Sequence, residues 1–94
     1  AFPGTRRDIA MLVADDTPHD AVLRSVRKAK PKHLESVELF DVYRGEGVEA
    51  GQKSVAYAFH YRSAEGTLKD KQVDAVHEKV IDRLRSDLNA TIRG

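Results

Sequence analysis

The sequence predicts an α+β sandwich: one four-stranded antiparallel sheet with two helices on one face and the other face open. Three observations predict it. The stretch "KSVAYAFHYR" alternates large and small side chains, the period of a β-strand. Two other stretches, opening at "TPHD" and "TLKD", space their apolar residues at helical intervals. Taken with the remaining apolar runs, the order along the chain is strand, helix, strand, strand, helix, strand. A length of 94 residues suits one domain, spanning 1–94. The chain opens on Ala1 rather than a methionine, so a piece of a longer polypeptide is expected.

Each element has its own signals. "AFPGTR" leads in, with a Pro3-Gly4 turn. "RDIAMLVA" predicts a strand over 7–14 that buries Ile9, Met11 and Val13 and turns Ala10 and Leu12 outward. Thr17 is placed to cap the first helix, with Pro18 at its first position, where a missing N–H costs nothing. Val22, Leu23, Val26 and Ala29 form its apolar stripe, and Pro31 stops it. "HLESVELFDVYRG" predicts the second strand. Its alternation slips where Phe40 follows Leu39, and Val42 keeps the phase of Phe40, which predicts a bulge at Leu39-Phe40-Asp41.

The glycine loop 44–52 leads to the third strand. There Val55, Tyr57, Phe59 and Tyr61 share one face, and Ser54, Ala56, Ala58 and His60 share the other. Thr67 caps the second helix, whose stripe is Val73, Val76, Val80, Ile81, Leu84 and Leu88. "NATIRG" supplies a short last strand. Neither helix can bury its stripe alone. A ferredoxin-like, RRM-like βαββαβ sandwich buries both on one side of the sheet.

That arrangement leaves one sheet face without a helix. Burying the aromatic side of the third strand leaves Ser54, Ala56, Ala58 and His60 on the uncovered side, a floor of mostly small residues. Around it stand Tyr43, Arg44 and Lys53 at one end, Arg93 in the last strand, and Arg6 and Arg7 ahead of the first. Aromatic rings stack unpaired bases, and Arg or Lys supply phosphate contacts, so this pattern points to RNA. The bland alternative is a weakly apolar face covered by another domain, with Tyr43 packed over its own hairpin.

Composition narrows the classes further. Charged residues are 33% and the formal net charge is +1, so nucleic-acid binding must come from local placement of charge. With no cysteine there are no disulfides, zinc thiolates or cysteine nucleophiles, which fits a reducing compartment. No apolar run approaches the roughly 20 residues that cross a bilayer, so no membrane is expected as a partner. "RGEGVEAG" lacks the Gly-Lys-Ser/Thr ending of a phosphate loop and joins two strands, so its glycines are read as turn formers. His19, His33, His60 and His77 show no metal-ligand spacing, and His77 is read as a partly exposed structural residue. An acylphosphatase-like enzyme has this size and fold, but acidic "DDTP" after the first strand would repel phosphate. A regulatory or oligomerisation module using the open face is the third class.

At "RRDIA", "LFDVYRGEGV" followed by "GQKS", "GTLKD" and the closing "IRG", the chain resembles a specific family. It is similar, over essentially its whole length, to the C-terminal ferredoxin-fold anticodon-binding domain of the bacterial phenylalanyl-tRNA synthetase β subunit. The resemblance implies that the open face receives the anticodon of phenylalanine tRNA. Carried over by motif, Tyr43 would stack on an anticodon base. Ser54 would bond a base edge or the backbone, and Arg93 would contact base or phosphate. Arg44, Asp41 and Ala56 are further RNA-binding candidates, Asp41 as an orienting group and Ala56 for close approach. The resemblance also implies that this domain catalyses nothing and holds no cofactor. ATP and magnesium serve the parent enzyme, whose α subunit performs the catalysis. The implied partners are the rest of the β subunit and the α subunit, in a cytoplasmic heterotetramer of two α and two β.

Overall fold

The computed structural model describes residues 2–94, so Ala1 of the leading segment lies outside the described residues. The elements are β1 (Thr5–Ala14), α1 (His19–Lys28), β2 (Leu34–Tyr43), β3 (Gln52–Tyr61), α2 (Asp70–Leu88) and β4 (Thr91–Ile92). They form one antiparallel sheet in the order β2-β3-β1-β4. The predicted ferredoxin-like arrangement is the observed one, with β1 two residues longer at its start than the alternation indicated.

The core is the layer between the sheet and the helices. Ile9, Met11 and Val13 of β1 and Val55, Tyr57, Phe59 and Tyr61 of β3 are buried there. Val22 and Val26 of α1 and Val73, Val80 and Leu84 of α2 close it from the other side. Removing such apolar surface from water is the main favourable term in folding. Ser25 is buried among these apolar residues because its hydroxyl donates to Asp87 of α2 at 2.8 Å. Arg83 holds the same carboxylate at 2.8 Å, so one aspartate ties the two helices together.

The buried tyrosines reach polar partners through the helix layer. The Tyr57 hydroxyl and His19 Nδ1 of α1 are hydrogen-bonded at 2.9 Å, with the two rings stacked. The Tyr61 hydroxyl and His77 Nδ1 of α2 are hydrogen-bonded at 2.8 Å, and His77 also meets Phe59 edge-on. His77 is thus buried, not partly exposed, with the Phe59 and Tyr61 rings both meeting it edge-on. Burial, with Arg7 nearby, lowers its pKa from the ordinary 6.5. Burial pushes both tyrosines up from 10.0 to about 12.

The helix starts differ from the predicted caps. Helix α1 begins at His19 with Pro18 as its N-cap, and the Pro18 carbonyl accepts from Ala21 and Val22. Thr17 instead belongs to the preceding turn, where its N–H donates to the Ala14 carbonyl at 3.0 Å. Helix α2 begins at Asp70 rather than after Thr67, and Gln72 Oε1 accepts from the Lys69 N–H at 2.8 Å. Side-chain to backbone bonding three residues on fixes the start there. Asn89 ends α2 in the left-handed region at φ 54°, a role asparagine tolerates well.

Two outcomes are expected. Leu84→Ala, at a fully buried position, should lower the unfolding free energy in urea by about 2–5 kcal/mol. Stability should also fall on both sides of a plateau. Below the ordinary histidine value of 6.5 the unfolded chain takes up a proton that folded His77 refuses, so stability drops as pH falls. Above the ordinary tyrosine value of 10.0 the unfolded chain loses protons that Tyr57 and Tyr61 keep until about 12, so stability drops as pH rises. Melting temperatures across pH check both arms, and His77→Gln should shrink the arm below neutral.

Candidate nucleic-acid interface

Strand alternation and register decide what stands on the uncovered face. Asp41 of β2 pairs with Ala56 of β3, and Ala56 pairs with Ala10 of β1. The Arg93 N–H donates to the Ala10 carbonyl at 2.7 Å, and with Ile92 turned to the core, Arg93 falls on the open side. One row therefore runs Asp41, Ala56, Ala10 across β2, β3 and β1 and ends on Arg93, one residue past β4. The next row is Tyr43, Ser54, Leu12, Thr91. Five of the six sequence-derived candidates, Tyr43, Ser54, Arg93, Asp41 and Ala56, come together in these two rows. Two alanines at the centre leave a low floor, with an aromatic ring at one edge and a guanidinium at the other.

Tyr43 is half exposed, at 46%, and its hydroxyl donates to the Glu46 carbonyl at 2.7 Å. The loop thus fixes the ring without covering it. Gly45 serves the turn: its φ is +126°, which a residue with a Cβ adopts only under strain. No phosphate-loop geometry follows, since the loop joins β2 to β3.

Other rim cations take different places. Arg44 forms an ion pair with Asp15, beyond the end of the sheet. The Lys53 ammonium donates to the Thr17 carbonyl at 2.7 Å on the helix side. Arg7 lies in the helix-facing phase of β1 and pairs with Asp74 of α2. Of the two arginines ahead of Asp8, only Arg6 reaches the open face.

The upper half of that face is not the open floor the alternation implied. Ala58 is on the open side yet fully buried. Asp8 and Glu38 flank it in register on the neighbouring strands. Arg6 of β1 and Phe40 of β2 meet across β3, with the guanidinium carbon 5.2 Å from the ring centroid. Asp8 holds Arg6, the Arg6 Nε donating to Oδ1 at 2.7 Å. The bulge lies where it was predicted, between Leu39 and Asp41, but it separates Phe40 from Val42. Phe40 turns to the open face, while Val42 lies in the helix-side phase opposite Val55 yet stays exposed beyond the core. The available signal was the run of long side chains, Arg6, Asp8 and Glu38, in the outward phase beside small residues.

The comparisons agree with this architecture. The model of the ferredoxin-fold anticodon binding domain matches residues 1–93. The chain belongs to this family. Among curated relatives, the chain is 47% identical to the phenylalanine–tRNA ligase beta subunit of Geobacter sulfurreducens over 92 residues, covering 98% of this chain and 12% of the relative. It is 44% identical to the same subunit of Lactiplantibacillus plantarum, covering 98% of this chain and 11% of the relative. The anticodon-binding-type domain described here thus spans about an eighth of those relatives. Among solved structures, a hydantoinase/carbamoylase family amidase from Burkholderia ambifaria superposes with a TM-score of 0.56 at 12% identity. That match covers 98% of this chain and 27% of the amidase, and it is a likeness of fold alone. Among the described residues, no group of three or more His, Cys, Asp or Glu is placed to hold a metal ion, and no helix is long and apolar enough to cross a membrane.

The anchoring of Tyr43 is testable. Tyr43→Phe keeps the ring and removes the bond to Glu46. It should leave the core intact and speed amide exchange in the loop, at Val48 above all, by the equivalent of about 0.5–1.5 kcal/mol. Hydrogen exchange read residue by residue checks this.

Proposed function

We infer that this chain reads the anticodon of phenylalanine tRNA as one domain, 1–94, of a longer phenylalanine–tRNA ligase β subunit. The carrying observation is the pair of rows across the uncovered face, which brings Tyr43, Ser54, Asp41, Ala56 and Arg93 onto one surface. Tyr43 is the stacking platform. Its orientation is fixed before RNA arrives, so little is lost in ordering it. Ser54, in register beside it, offers a hydroxyl to a base edge or the sugar-phosphate chain. Ala56 and Ala10 admit a base close to the sheet. Asp41 accepts from a base amino group or orients its neighbours, and Arg93 donates to phosphate or a base edge from the β4 side. Arg44 contributes at the rim only after leaving Asp15.

In this reading the domain performs no bond-making step and holds no cofactor of its own. Aminoacylation uses ATP and magnesium in the α subunit, within a cytoplasmic assembly of two α and two β subunits. The domain's part is to accept one tRNA and reject others.

A hairpin carrying the anticodon loop of phenylalanine tRNA should bind the 94-residue chain more tightly than the same hairpin with a scrambled anticodon. Affinity should fall with salt as phosphate contacts release counterions. Tyr43→Ala should cost about 1–3 kcal/mol. Arg93→Ala should weaken binding and flatten the salt slope by about one. Calorimetric titration at several salt concentrations measures all of these. Equal binding of both hairpins, with no effect of either variant, would remove the reading.

A further inference from the structure

Phe40 and Arg6 lie on the open face, yet the two rows make no use of them. Phe40 is the extra residue of the β2 bulge, and 49% of it remains exposed. Its ring is not part of the buried core, and the Arg6 guanidinium lies over it. Asp8 grips that guanidinium through Nε and Nη2, at 2.7 and 3.4 Å. The other terminal nitrogen, Nη1, has no partner among the described residues, so two N–H donors stay free. A flat apolar surface, a cation held in place and unused donors are what a base-binding platform needs.

We propose that Phe40 and Arg6 form a second nucleotide site on the same face. A base next to the anticodon stacks on the exposed part of the Phe40 ring, and Arg6 Nη1 donates to its edge or to its phosphate. The site rests on the RNA-reading role of this face. Its position suits the purpose: Ala58 lies two residues beyond Ala56 on β3, about 7 Å along the strand. A strand of RNA leaving the Asp41–Ala56 row meets it next.

The surroundings select for a base. Ala58 is sealed beneath the pair, so the site is a platform and not a pocket. Asp8, Glu38 and Asp41 surround it with negative charge, and Arg6 is the cation that stands among them. A phosphate approaching without Arg6 meets repulsion, whereas an uncharged base face does not. Asp8 is then a positioning residue, which acts by holding Arg6. Phe40, Arg6 and Asp8 are all half exposed, so an incoming base can reach the ring and Nη1 while Asp8 keeps its hold on Nε.

The test pairs protein variants with abasic RNA. The anticodon hairpin is titrated into the wild-type chain, Phe40→Leu and Tyr43→Ala, followed by NMR up to millimolar RNA. The hairpins are intact or abasic at one loop position at a time. Phe40→Leu should weaken binding of the intact hairpin about tenfold. That loss should vanish for one abasic position flanking the anticodon, and the Phe40 ring protons should shift on binding. If Phe40→Leu binds as wild type does, or if its loss persists across every abasic hairpin, the second site is overturned. In either case a weakened Tyr43→Ala leaves the anticodon reading standing. If the wild-type chain shows no shift at millimolar RNA, the proposed function falls, and the second site falls with it.

Discussion

The two-residue period of β3 is the constraint on which the rest depends. A strand turns successive side chains to opposite faces, so the residues that anchor the helices also decide what the far face contains. Val55, Tyr57, Phe59 and Tyr61 fill the helix layer, and the two tyrosine hydroxyls find His19 on α1 and His77 on α2. Each bond satisfies a polar group that would be costly to bury unpaired, and it fixes where a helix lies on the sheet. Shifting β3 by one residue would lose both contacts and send serine and alanine into the core. The same alternation leaves Ser54 and Ala56 on the open side, beside Ala10 of β1. The low floor of the interface is thus a consequence of how the core is built.

Those parts of the molecule governed by periodicity were legible in the sequence. Strand β3, both apolar stripes and the order of elements follow from spacing alone, and the order suffices for the topology. Membership of Tyr43, Ser54 and Ala56 in one surface follows from strand phase once the hairpin register is fixed. What periodicity does not govern was misread or invisible. The phase slip at Phe40 announced a bulge but not which residue it would turn out, because that depends on Arg6 arriving from a different strand. Arg7 and Lys53 looked like rim cations by their place along the chain. Each lies in the helix-facing phase and meets a partner distant in sequence, Asp74 and the Thr17 carbonyl. Thr17 and Thr67 had the right chemistry for caps. Both were displaced because backbone carbonyls at Pro18 and Lys69 take the first helical bonds.

Charge is distributed in a way the net value of +1 conceals. Arg44, Arg7 and Arg6 each face an aspartate, Asp15, Asp74 and Asp8, so much of the positive charge near the sheet is compensated locally. The open face itself carries Asp8, Glu38 and Asp41 alongside Arg6 and Arg93. Such a surface generates no strong attractive field for a polyanion. Under the proposed reading, recognition there would come from short-range contacts, stacking and hydrogen bonds to base edges, which is the part of nucleic-acid binding that carries sequence information.

Pre-organisation completes the case for short-range reading. An aromatic ring at the edge of a sheet is ordinarily free to swing, and binding would then bear the cost of ordering it. Here the Tyr43 hydroxyl is held by the Glu46 carbonyl, across a glycine whose positive φ lets the loop double back beneath the ring. Any side chain at Gly45 would be strained by its backbone conformation. The glycine loop therefore acts on the interface mechanically. It fixes the angle at which the Tyr43 ring stands at the sheet edge. Ser54 starts the opposite strand directly across from Tyr43, so one short hairpin sets both the ring and the hydroxyl beside it. If the face binds RNA as proposed, changes in the loop should lower affinity for the anticodon hairpin, read by calorimetric titration, before they lower the melting temperature, since the core lies on the other side of the sheet.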